Sequence, residues 1–114
     1  NQESEKYITV LADGTKLNNS NKLNEEKKLG YLKVTNIQLT YKNGITNLLA
    51  TVTNTSKEKT KQQNVNIIIL DEDGKELRTI PGIIEELESG ESTQLNSSIT
   101  ADFANAYDIK ITER

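Results

Sequence analysis

Four dipeptides punctuate the chain: Asp13-Gly14, Asn43-Gly44, Asp73-Gly74 and Ser89-Gly90. Asp-Gly and Asn-Gly reach positive φ at little cost, and they suit the twist of two strands leaving a tight turn. Strand-like runs flank them: "YITVL" and "TKL", "YLKVTNIQLTY" and "ITNLLATVTN", "VNIIIL" and "KELRTI", then "STQLNSSIT" and "YDIKIT". Short strands with little helical period predict an all-β fold, an immunoglobulin-like antiparallel β-sandwich of about seven to eight strands.

The Asn43-Gly44 turn carries its own register test. A two-residue turn pairs Lys42 with Ile45, so Leu39 faces Leu48 and Ile37 faces Ala50 on one side of the sheet. Upstream the apolar phase slips, because Leu32 and Val34 are even-numbered while Ile37, Leu39 and Tyr41 are odd. One extra residue near Thr35-Asn36, a β-bulge, returns both sets to the core.

The 114 residues suffice for one domain with a modest core. The expected organisation is a strand, hairpin and polar loop over residues 1–30, packing on a sandwich over residues 31–114. Within the first part, "NNSNKLNEEKK" (Asn18 to Lys28) reads as a loop crossing between sheets or a short turn capped by Ser20. "ADFANAY" begins with an Asp102-capped turn. The Asp102-to-Tyr107 interval is loosely similar to a tyrosine corner, the simpler reading being Tyr107 as a half-buried packing residue.

Counting excludes much chemistry. The chain has no Cys and no His, which removes disulfides, thiolate ligands, the commonest zinc ligand and every Ser-His or Cys-His pair. No cofactor is implied. The net charge is −3 with Lys and Arg scattered, so no basic footprint for nucleic acid exists. No apolar run is long enough to span a membrane. The opening "NQESEK" lacks Met, and the expectation is a processed piece whose leader or anchor has been removed, with any membrane contact made through that segment.

"DEDG" at Asp71 to Gly74 raises the question of calcium. An EF-hand loop needs oxygen ligands at its first, third and fifth positions, Gly at the sixth and an acid at the twelfth. Counting from Asp71 places Lys75 and Glu76 at the fifth and sixth positions; anchoring on Gly74 places Ile69 and Ile80 at the ends. Both registers fail, so "DEDG" is a hairpin turn that pairs Glu72 with Lys75 and Leu70 with Leu77. Pro81-Gly82 predicts a type II turn. Between Asp71 and Glu91 stand eight acids against two bases, read as a solvated face, with a weak calcium-binding adhesion site as the alternative. Glu85 and Glu86 are adjacent acids, which on a strand point to opposite faces rather than into one catalytic cleft.

The order "VTNTS" (Val52 to Ser56), an apolar run into "LDEDGKEL", "LESGES" (Leu87 to Ser92) and "AYDIKI" (Ala106 to Ile111) resembles the small immunoglobulin-like domains of Gram-positive bacterial surface proteins, of the FxLYD type. The likeness covers about residues 31 to 112. Where that family's name-motif falls, this chain reads "IIILD", keeping the apolar positions and the Asp without the Phe and Tyr. The resemblance implies an extracellular or cell-surface binding or spacer module, membrane-anchored in the full-length protein, and carries over no catalytic residue. The sequons at Asn18, Asn54 and Asn96 are read as accidental in a bacterial chain.

The expected role is therefore a non-enzymatic interaction or spacer domain with a protein partner or a second copy. If Val65, Ile67 and Ile69 face the core, then Ile68, Leu70 and Leu77 form a candidate interaction face. The alternative cover is the chain's own N-terminal segment, through Ile8, Val10 and Leu11. A carbohydrate-binding module is the second reading, opposed by the lack of Trp and by packing demands on Tyr31, Tyr41 and Tyr107. Some Gram-positive surface sandwiches form internal Lys–Asn isopeptide bonds. The resemblance offers Lys33 or Lys110 as donor and Asn36, Asn47 or Asn96 as acceptor, and no spacing identifies the triad. The bond would show as a mass loss of about 17 Da for the expelled ammonia.

Overall fold

The computed structural model describes residues 6–114. Among these residues two antiparallel sheets pack as a sandwich of nine strands: β1 (Ile8–Val10), β2 (Lys16–Asn18), β3 (Lys27–Leu29), β4 (Leu32–Lys42), β5 (Ile45–Asn54), β6 (Gln63–Leu70), β7 (Glu76–Ile84), β8 (Ser92–Ile99) and β9 (Asp108–Glu113). The larger sheet runs β1-β2-β4-β5-β8, with β3 also paired to β4; the smaller runs β7-β6-β9. The all-β sandwich expected from the turn rhythm is what forms, with more strands than expected. The addition is β3, inside the polar stretch before Gly30. Gly30 at φ 61° and Tyr31 make a two-residue turn that pairs Leu29 with Leu32.

The β4–β5 hairpin follows its sequence register. Asn43 and Gly44 both have positive φ, as a type I′ turn requires, and Lys42 pairs with Ile45 and Leu39 with Leu48. The register shifts between Thr35 and Gln38, where Asn36 takes φ 53°. Ile37 lies inside this bulge and therefore lacks the expected direct pairing with Ala50, although both are buried. The bulge works as anticipated: Leu32, Val34, Ile37 and Leu39 all reach the core. They meet Val65, Ile67 and Ile69 of β6 and Ile109 and Ile111 of β9 in one hydrophobic cluster.

Two expected turns differ. At Asp71 the amide of Gly74 donates to the carbonyl of Asp71, and the amide of Asp71 donates to the carbonyl of Lys75. Asp73-Gly74 is thus the second half of a wider loop, with Gly74 at φ 80°. The cause is Asp71 itself, whose Oδ1 accepts from the amides of Asp73 and Lys75, both at 2.9 Å. Leu70 then pairs with Glu76 instead of Leu77, and Glu72 does not pair with Lys75. Further on, Pro81-Gly82 makes no turn, because β7 continues through it to Ile84. A Cβ on Gly82 would sit 3.2 Å from Ser97 Oγ and 3.3 Å from Ile67 Cδ1 and Leu95 Cδ1. Gly82 is there for close packing across the sandwich, and Pro81 is tolerated because β7 is an edge strand.

The N-terminal third is fastened to the end of the chain. Ser20 caps a single turn by accepting from the amide of Leu23 at 3.4 Å, and its hydroxyl donates to the carbonyl of Tyr107. Asn18 Nδ2 donates to the carbonyls of Ala104 and Ala106. Lys27 and Asp108 form a largely buried ion pair at 2.8 Å, which joins β3 to β9 across the sandwich.

Candidate interaction face

Alternation along β6 sends Val65, Ile67 and Ile69 into the core and leaves Ile68 and Leu70 half-buried on the outer side. Ile68 lies between Thr79 of β7 and Lys110 of β9, and Leu70 between Glu76 and Asp108. Leu77 is 39% exposed on β7, out of register with Leu70 because of the irregularity beside it. Farther along β7, Ile83 pairs with Asn64 and is 50% exposed. Ile83 was missed by the sequence reading because the Pro81-Gly82 turn ended the strand too early. The signal lay in the alternation of Ile80, Gly82 and Ile84 with Ile83.

The expected cover by Ile8, Val10 and Leu11 is not made. β1 is the edge of the other sheet, paired to β2, and Val10 is 63% exposed and Leu11 43%. Edge pairing took that segment because Lys16–Asn18 offered it a strand partner. It is the residues just before β1 that reach the smaller sheet. Tyr7 packs its ring 5.5 Å from that of Tyr107, and its amide donates to Asn105 Oδ1 at 2.9 Å. With Asp71 and Leu77 these residues line a groove of about 360 Å³. A hydrogen bond to the Glu72 carboxylate pushes the Tyr7 hydroxyl up to about 12. The same bond, helped by Lys6 at 3.3 Å, lowers Glu72 below its ordinary value. Tyr107 is the half-buried packing residue anticipated, and Asp102 Oδ1 accepts from the amide of Ala104 to cap the turn before it.

Within the acidic stretch, Asp71, Glu72, Glu86, Glu88 and Glu91 are engaged with bases or backbone. Asp71 closes its own loop, Glu86 and Glu88 flank Lys59 at 3.1 and 3.5 Å, and Glu91 Oε1 accepts from the amide of Glu88 at 2.8 Å. Glu86 is the main reason that Lys59 titrates above its ordinary value. Among the described residues, no three carboxylates gather as a metal site would need. Glu85 and Glu86 lie beyond the end of β7, both exposed.

Lys110 is not brought to its candidate acceptors: Asn36, Asn47 and Asn96 are exposed on the larger sheet and Lys110 is exposed on the smaller one. Lys33 lies on β4 opposite Lys28 and Thr53. Of the three sequons, only Asn96 has a free setting. The Asn18 amide is committed to Ala104 and Ala106, and Asn54 is wholly buried. Asn54 Nδ2 donates to the carbonyls of Glu58, Leu87 and Glu88, and its Oδ1 accepts from Ser56 N and Oγ. This side chain ties the 55–60 loop to the turn before β8. Among the tyrosines, Tyr41 packs under Lys16, whereas Tyr31 is 70% exposed and, contrary to expectation, is not needed for packing.

No family model matches the chain, and no curated protein matches it. Among solved structures it is similar to the crystal structure of a DUF1425 family member from Shewanella sp. pv-4, with 12% identity over 94% of each chain and a TM-score of 0.50. At that identity the likeness speaks for the fold alone. It supports an all-β domain of this general kind, and does not single out the FxLYD type.

Proposed function

We propose that this domain is a non-enzymatic interaction module of an extracytoplasmic bacterial protein, presenting the outer face of β7-β6-β9 to another protein surface. The observation that carries the reading is that face: Ile68, Leu70, Leu77 and Ile83 lie on the outer side of a small sheet whose other side already fills the core. The absence of His and Cys and the pairing of carboxylates with lysines and backbone amides support a binding role over a catalytic one. The surface location rests on the similarity of "VTNTS", "LDEDGKEL" and "LESGES" to Gram-positive surface domains, and protease shaving of intact cells tests it.

A second copy is the occupant to test first. Light scattering over a concentration series compares the wild-type domain with Leu77→Asp and Ile83→Asp, both at exposed positions where the fold should survive. A wild-type dimer that becomes monomeric in both folded variants supports the assignment. A dimer untouched by either change would place the contact elsewhere and end this reading of the face.

A further inference from the structure

At the end of the sandwich where the β3–β4 turn meets the 55–60 loop there is a hollow of about 600 Å³. Its wall is Tyr31, an aromatic ring left in water at the tip of a two-residue turn. The ring is open to a stacking partner along one face. The backbone beneath it is held firmly. The Tyr31 carbonyl accepts from Thr55 N at 2.9 Å and Thr55 Oγ1 at 2.6 Å, and Asn54 in turn fixes the loop carrying Thr55. A ring on a pinned turn is a preorganised platform, which loses little entropy when a ligand stacks on it.

The rest of the hollow is polar. Two bases, Lys57 and Lys59, and one acid, Glu58, line it beside Thr55, Ser56 and Thr60. Lys59 is held by Glu86 and Glu88, whereas Lys57 makes no ion pair among the described residues. We propose that this hollow is a subsite for an anionic glycan, with one pyranose face stacked on Tyr31 and its acidic group met by Lys57. A pyranose offers an apolar C–H face to the ring and hydroxyls to the polar atoms of Ser56 and Thr60. A nucleic acid strand would need a row of aromatics along a basic groove, and here a single aromatic lines the hollow. This subsite is separate from the β7-β6-β9 face and stands independently of the function proposed for it.

The test is an amide NMR titration with tetragalacturonate and, in parallel, neutral maltotetraose, at about 0.15 M salt to screen non-specific attraction. Tetragalacturonate should shift the amides of Tyr31 and residues 55–60, leaving those of β1 unmoved. Tyr31→Ala should weaken binding about tenfold, the scale of one aromatic stacking contact. Lys57→Ala should weaken it about threefold and bring it down to the level of maltotetraose. Equal thermal midpoints of wild type and variants confirm that folding is intact, and Leu77→Asp should leave the titration unchanged. No shift around the hollow, binding indifferent to Tyr31→Ala, or equal affinity for the two sugars in the wild type would each overturn the proposal.

Discussion

Replacing Asn54 by Asp changes one atom and inverts the chemistry of a buried site. The side chain is wholly buried, and its amide nitrogen faces three carbonyl oxygens at 2.8, 3.0 and 3.2 Å. Each of those carbonyls has a second donor: Thr60 N for Leu87, Glu91 N for Glu88, and for Glu58 the Ser56 hydroxyl, whose one hydrogen lies within reach of both that carbonyl and Asn54 Oδ1. Asn54→Ala therefore leaves no carbonyl orphaned; what it strands is the amide of Ser56. The amide's two hydrogens share the three carbonyls, and the Ser56 hydroxyl can turn wholly to Glu58. About three bonds are therefore lost outright at about 1 kcal/mol each, a cost of about 3 kcal/mol. In Asn54→Asp the two bonds from Ser56 survive, but a carboxylate oxygen now faces the carbonyls without water. Desolvation and this repulsion raise the folded-state carboxyl above its unfolded value of about 3.9. Below that pH the carboxyl is neutral in both states, and protonated it can donate to one carbonyl, so the variant should equal or exceed Asn54→Ala in stability. As pH rises, the unfolded chain ionises first, and stability falls by up to about 1.4 kcal/mol per pH unit until the folded carboxyl ionises as well. By pH 7 Asn54→Asp should be the weaker variant, at a total cost of about 5 kcal/mol, comparable with the whole stability of a small domain. Urea denaturation followed by circular dichroism, at several pH values between 4 and 7, gives the difference between the two variants directly. A difference that stays flat with pH, or an Asp variant within about 1 kcal/mol of wild type at pH 7, would refute the role given to Asn54.

Three further outcomes follow from the structure. Tyr7 should ionise only near pH 12, read by its ultraviolet absorbance, and Glu72→Gln should bring it back towards 10. Since the folded pKa is the raised one, the Tyr7 contact should hold below pH 10 and weaken between 10 and 12 as the unfolded chain ionises first. Gly82→Val places methyl groups where a Cβ alone already meets Ser97, Ile67 and Leu95 within 3.3 Å, so thermal unfolding should show a loss of about 1–3 kcal/mol, against near silence for Ile83→Thr. Removing one partner of the Lys27–Asp108 pair, as in Lys27→Met, leaves a carboxylate mostly out of water and should cost about 2 kcal/mol, with Lys27→Met/Asp108→Leu recovering part of it in a double-mutant cycle.

Local physics made the turn rhythm, the β4–β5 register, its bulge and the Ser20 and Asp102 caps legible in the sequence, because each depends on residues a few positions apart. Alternation also identified Ile68 and Leu70 as outward-facing. Where a side chain intervened in its own turn, as Asp71 does, the dipeptide rule placed the turn correctly and the pairing one step out. The absence of His and Cys, and the chemistry that goes with them, needed no structure at all. Tertiary structure alone decided that β7 runs straight through Pro81-Gly82, because the need for a missing Cβ comes from Leu95 and Ser97 on the opposite sheet. It alone brought Tyr7 to Asn105 and Tyr107, and turned the sequon at Asn54 into an interior fastening between two loops. Those partners lie 33 to 100 positions from the residues they bind. Alternation and turn chemistry report which way a side chain points, whereas the partner it meets is set only when both sheets close on each other.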